Sequence, residues 1–227
     1  MANFRAYSSA FLLLSLPTLA ILQGLVGGER PVQSDAPALA LLVTLAAAAY
    51  EAASSRLLAL IAGGLGALTL CAVIAGRWFR VDSAAQVQWI FLSVFFAFCA
   101  LRLLQKVLRP GLVHAGKLYD AVSIYLLLGV TWSALYSWVE QRVPGSFRFT
   151  SESSPHPMTP ETFLYFSFST LTTAGFGDVV PARSLSRMLV SLEAIAGVMY
   201  VAILIARLAG SYGRREGTDT PSASNEL

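Results

Sequence analysis

The chain's densest group of residues able to do chemistry is Thr170-Leu-Thr-Thr-Ala-Gly-Phe-Gly-Asp178: threonine hydroxyls, two glycines around an aromatic, and one carboxylate. The chemistry such a stretch offers comes from its backbone. Glycine enters positive φ freely, so glycines at alternate positions, 175 and 177, let successive carbonyls turn to the same side. A row of carbonyls aligned in this way can replace the hydration shell of a dehydrated cation. At membrane depth, backbone carbonyls are tolerated only where protein buries them or where water or ions occupy them.

The other reactive side chains are read as bystanders. His114 and His156 have no second His, Cys or carboxylate at metal-ligand spacing, and are read as solvated loop residues. Cys71 and Cys99 lie inside apolar runs and read as small apolar residues, not as a disulfide or a thiolate metal site. No Ser-His-Asp order, no Walker loop and no H-E-x-x-H occurs, so enzymatic chemistry has no candidate site. No cofactor is expected beyond a permeant ion.

The glycine stretch must be positioned by what precedes it. Thr159-Pro160-Glu161 reads as a helix start, with Thr159 as N-cap, Pro160 at the first helical position and Glu161 near the positive end. The helix then runs through Phe163-Leu-Tyr-Phe-Ser-Phe-Ser-Thr-Leu171 and stops at the glycines. About twelve residues reach roughly 18 Å, half a bilayer, so the expectation is a re-entrant half-helix. Its negative C-terminal end carries roughly half an elementary charge, and four such ends around an axis would hold a cation in the cavity below.

The rest of the chain supplies the membrane. Of 227 residues 56% are hydrophobic and 13% charged, with a net charge of +3 and a positive mean hydropathy, which excludes an ordinary soluble domain and a nucleic-acid surface. A hydrocarbon core about 30 Å thick needs about 20 apolar residues as helix. Six runs meet this approximately: Ser8 to Val26, Pro37 to Ser54, Leu57 to Gly76, Val87 to Leu104, Leu118 to Val139 and Leu185 to Leu208. The first follows Arg5 but exceeds a signal-peptide core and has no clean cleavage site, so it reads as an uncleaved anchor. The expected fold is an all-α membrane protein of six transmembrane helices, with a re-entrant helix and loop between the fifth and sixth. Expected domains are 1–116, a four-helix membrane domain; 117–210, a pore domain; and 211–227, a disordered cytoplasmic tail.

The segment Tyr165-Phe-Ser-Phe-Ser-Thr-Leu-Thr-Thr-Ala-Gly-Phe-Gly-Asp-Val-Val-Pro181 resembles the pore loop of the tetrameric potassium channels, whose filter reads Thr-Val-Gly-Tyr-Gly. The resemblance extends over outer helix, loop and inner helix, Leu118 to Gly210. It implies that Thr173, Ala174, Gly175, Phe176 and Gly177 line the filter and that K+ binds at Thr173, Ala174, Gly175 and Phe176. It also implies that Asp178 ties the filter mouth to the pore helix, with Tyr165 where the family carries an aromatic donor for that tie. Ser169 stands where some members place a buried carboxylate, so that acid is absent here. Two departures stand out. Ala174 replaces the usual valine or isoleucine and loosens the packing behind the filter, and Phe176 replaces tyrosine and loses a hydroxyl.

Gly197 lies where the family carries a hinge glycine; a hinge and close helix packing are both open uses for it. Val198, Val201 and Ile205, spaced three and then four apart, share one helical face and are candidates to line an apolar cavity. Glu193, deep in its span, needs a partner or a proton. One reading gives it a hydrogen bond to pore-helix hydroxyls, and the other makes it couple pH to filter stability. Asp120 is expected to pair with a nearby Lys or Arg. The fourth span is uncharged for most of its length, with Arg102, Lys106 and Arg109 clustered at one end, so it is not a voltage sensor.

One pore loop supplies a quarter of a filter, so the partner implied is the chain itself as a homotetramer, with membrane lipids around it and neither nucleic acid nor a soluble protein. With six spans both termini share a side. Placing that side in the cytoplasm puts Arg5, Arg56, Arg102, Lys106, Arg109, Lys117, Arg207, Arg214 and Arg215 inside, out of 16 Lys and Arg in all, a weak positive-inside preference. The expected location is a prokaryotic inner membrane. The function expected is passive, selective K+ permeation; a weakly selective monovalent cation channel and a non-conducting membrane subunit or sensor are the alternatives.

Overall fold

The computed structural model describes residues 13–15, 18, 36–52, 56–78, 82–109, 115–151 and 158–216. Most of the first apolar run, Ser8 to Val26, together with His114, His156 and residues 217–227, lies outside the described residues. The elements run in the order α1 (Ala36–Ala52), α2 (Arg56–Trp78), α3 (Asp82–Leu108), α4 (Ala115–Arg142), β1 (Phe147–Phe149), α5 (Pro160–Leu171), β2 (Val179–Pro181) and α6 (Ser184–Glu216). Four of these helices are long and apolar enough to cross a membrane: Arg56–Gly76, Gln86–Leu108, Gly116–Arg142 and Ser184–Arg207. α1 is shorter, at 17 residues.

α4 is the organising helix. It packs along α3 on one side and against α5 and α6 on the other. Its buried residues Ile124, Leu127, Val130 and Ala134 recur every three or four positions and meet Phe95, Phe96, Cys99 and Leu103 of α3, with Leu45 and Ala48 of α1 closing the cluster. That spacing places them on one stripe of a 3.6-residue helix, while Leu118 and Val122 lie exposed on another. Among apolar lipid tails such contacts gain mainly van der Waals packing, and small residues allow the close approach. Gly129 is such a residue: a Cβ there would fall 2.4 Å from the Phe168 ring of α5.

Two polar contacts join α4 to its neighbours near its start. Lys106 Nζ of α3 sits 2.9 Å from the buried Asp120 carboxylate, and the Tyr200 hydroxyl of α6 donates to the Ala121 carbonyl at 2.5 Å.

The fold departs from the all-α expectation in one place. Phe147–Phe149 and Val179–Pro181 pair antiparallel, with Phe147 opposite Pro181 and Phe149 opposite Val179. These short runs are aromatic and β-branched, types that fit a pleated, half-buried surface, and Pro181, which has no N–H to give the ladder, is tolerated because both strands of a two-stranded sheet are edges. Inward-facing Phe147 and Val179 join Tyr136, Val139, Phe163 and Phe166 in a second core, where the Phe147 ring lies 5.1 Å from Tyr136 and 5.1 Å from Phe163.

A second correction concerns the C-terminal side. α6 continues to Glu216 rather than giving way to a disordered tail after Gly210. Ser211 to Glu216 contains no proline, and its one further glycine costs a helix only about 1 kcal/mol.

Candidate functional site

α5 is a helix of 12 residues whose start is set by its caps. Thr159 is extended, at φ −104° and ψ 161°, and its hydroxyl accepts from the Thr162 N–H at 3.3 Å; Pro160 opens the helix and Glu161 lies in the first turn. At the other end the chain does not simply leave. The N–H groups of Thr172 and Thr173 donate to the carbonyls of Phe168 and Thr170 at 3.0 and 2.9 Å, and those of Ala174 and Gly175 both donate to Ser169 O at 2.9 and 3.1 Å. The carbonyls of Phe168, Ser169 and Thr170 are satisfied by the segment that follows, as helix ends require.

Beyond Thr172 the backbone alternates. Thr173 has φ +59°, Gly175 φ +55° and Gly177 φ +77°, every second residue in the left-handed region. Glycine adopts that region without penalty, whereas a β-branched threonine there is a genuine outlier, of the kind that persists at functional sites because the surroundings over-determine it. Alternating the sign of φ turns carbonyls that an ordinary strand would point to opposite sides toward a common one. Since the N–H groups of 172–175 are folded back on α5, the carbonyls of Thr173, Ala174, Gly175 and Phe176 are left, and they accept no hydrogen bond from the described residues. All of Thr172–Asp178 is exposed. Four consecutive unpartnered carbonyls on an exposed strand would be anomalous in most proteins, where backbone groups find partners.

The flanks hold this strand. The Phe176 ring stacks on Tyr165 of α5 with centroids 5.8 Å apart and planes at 7°. Asp178 accepts from the Val179 N–H at 3.0 Å. On the far side Thr150, just past β1, donates from its N–H to Asp178 O at 2.8 Å and from its hydroxyl to Gly177 O at 2.6 Å.

Behind α5 lies a buried polar cluster. Glu193 of α6 is fully buried; Tyr136 of α4 donates to one carboxylate oxygen at 2.5 Å and Ser167 of α5 lies 2.5 Å from the other. The Ser167 hydroxyl is shared with the Gly129 carbonyl at 2.8 Å. One carboxylate therefore ties three helices together. Ser169 is buried, but its hydroxyl turns back to Phe166 O at 2.9 Å; its contribution to the loop is its carbonyl. One turn beyond Glu193, Gly197 touches the end of α5: a Cβ would fall 2.4 Å from Leu171 O, the same carbonyl that accepts from Tyr125 at 3.0 Å. Packing thus accounts for this glycine. Val198, Val201 and Ile205 point away from this inner stripe and are exposed.

Reading the sequence alone singled out the glycine stretch, Tyr165, Asp178 and Glu193. It missed Thr150, Gly129, Tyr125, Tyr136 and Ser167 as individuals, because their partners lie far along the chain. Ser167 carried a faint signal as a hydroxyl facing away from the loop on an apolar helix.

A short helix ending on a strand of unpartnered carbonyls is thus held between two long apolar helices. Residues 121–212, running from α4 into α6, match the family model described as an ion channel. That match covers less than half of the chain, and the family it describes is one of channels, not of enzymes. Searches of curated proteins and of solved structures found no significant match.

Proposed function

We propose that the chain forms a potassium-selective channel, in which four copies set their Thr173–Phe176 carbonyls around one axis and pass dehydrated K+ down its gradient. The observation that carries this reading is the alternation of φ at Thr173, Gly175 and Gly177 together with the four carbonyls it leaves without partners. One chain provides one strand of ligands, and a closed ring of them requires rotational symmetry. In that assembly α5 is re-entrant, its C-terminal end aimed at the cavity, and Val198, Val201 and Ile205 line an apolar vestibule. The exposed apolar faces of α2 and α6 are covered by neighbouring copies and by lipid. The first apolar run and α1 complete six spans with both termini in the cytoplasm, in a prokaryotic inner membrane.

Ala174 favours a second reading, a cation pore of weak selectivity. Its methyl leaves room behind the strand where a valine side chain would fill it, and a filter that can widen loses the geometry that rejects Na+. A non-conducting subunit that keeps the loop as scaffold is the third. Flux into liposomes holding the purified protein separates them: K+ flux that barium blocks, with Na+ flux far lower, is expected; equal fluxes point to the second reading and none to the third.

A further inference from the structure

Of the five filter carbonyls, the outermost stands apart: Gly177 O accepts the Thr150 hydroxyl at 2.6 Å, whereas those of Thr173 to Phe176 accept nothing from the described residues. Thr150 reaches it at the end of a strap that is fixed at several points. Glu140, at the end of α4, accepts from the N–H groups of Gly145 and Phe147 at 2.8 and 3.0 Å. Ser186 of α6 donates to Ser146 O at 2.7 Å, and the Ala182 N–H donates to the same carbonyl at 2.8 Å. The β1–β2 ladder then sets Phe149 opposite Val179 and leaves Thr150 beside the glycine.

We infer that Thr150 is a positioning residue for permeation: its hydroxyl holds the Gly177 carbonyl, so that the ion ligands end at Phe176 and the mouth of the filter keeps its conducting shape. Gly177, at φ +77°, has no side chain to anchor it, and rotation of its peptide breaks that bond, the one its carbonyl accepts from the described residues. An ion seated at the mouth binds the conducting shape and not the rotated one, so external potassium opposes the rotation by mass action.

This rests on the potassium-channel reading, and the experiment keeps the two apart. Wild type, Thr150→Val and Thr150→Ser are reconstituted in planar bilayers, and the ratio of steady to initial current is measured at low and high external potassium. Valine keeps the shape without the hydroxyl. It should raise the ratio of silent to conducting channels about 2- to 10-fold at low potassium, the range of one net hydrogen bond. High potassium should remove the difference and serine should restore wild-type behaviour. Wild-type silence would remove the channel reading itself. With wild type conducting, the inference is overturned by a Thr150→Val current that matches wild type, by a loss that potassium does not relieve, or by failure of serine to rescue.

Discussion

Glu193 shows what a single residue contributes here. A carboxylate deep in an apolar helix is costly unless its oxygens are used, and both are: Tyr136 donates to one and Ser167 approaches the other. Glu193→Ala would leave the buried Tyr136 hydroxyl without its partner, at about 1–3 kcal/mol, while Ser167 keeps the Gly129 carbonyl. We expect a clear fall in the melting temperature of the detergent-solubilised protein. Glu193→Gln, which keeps the shape and one acceptor, should lose less than half as much; equal losses for the two would show that the hydrogen bonds contribute nothing beyond volume. The glycines and the threonine ahead of them were legible in the sequence because backbone freedom is written in residue type. The partners of Glu193 were less so. Ser167 is 26 residues away and Tyr136 is 57, and nothing local in either places it against α6.

At the scale of elements, the contact between α6 and the end of α5 decides how the loop is seated. The added methyl of Gly197→Ala meets backbone, Leu171 O at 2.4 Å, and cannot be relieved by a rotamer change, so we expect about 1–3 kcal/mol of destabilisation, read as thermal unfolding of the solubilised protein. Gly129→Ala meets a Phe168 ring, which can shift, and should cost less. The Lys106–Asp120 pair joins α3 to α4. Its lysine is 37% exposed and its aspartate 2%, so Lys106→Met strands a buried charge and should cost up to about 3 kcal/mol. Adding Asp120→Asn should recover part of it, as coupled neighbours do. The long apolar helices were readable because a span needs only length and hydropathy. The β1–β2 ladder was not, since three-residue strands carry almost no periodic signal and their pairing depends on the loop returning to the end of α4.

Taken as a whole, the segment that matches the ion-channel model, residues 121–212, follows three further described helices, α1 to α3, that carry little charge along their apolar stretches. Arg102, Lys106 and Arg109 all lie at the end of α3, where Arg102 bonds to Gln105 and the Arg109 carbonyl accepts from Arg207 of α6 at 2.6 Å. With about 2.3 kcal/mol per charge per 100 mV as the lever, moving less than one charge gives a response shallower than about e-fold per 25 mV. Single-channel open probability measured across voltage checks this, and a steeper response would mean that α3 moves as a sensor after all.

The central claim is that Thr173–Phe176 make a carbonyl filter tight enough to prefer potassium. The most direct test is the reversal potential of the purified protein in a planar bilayer, with potassium on one side and sodium on the other and barium block as control. A reversal displaced far toward the potassium equilibrium is the result this account predicts. A blockable current that reverses near zero would contradict it, and would identify the loop as a general cation pore.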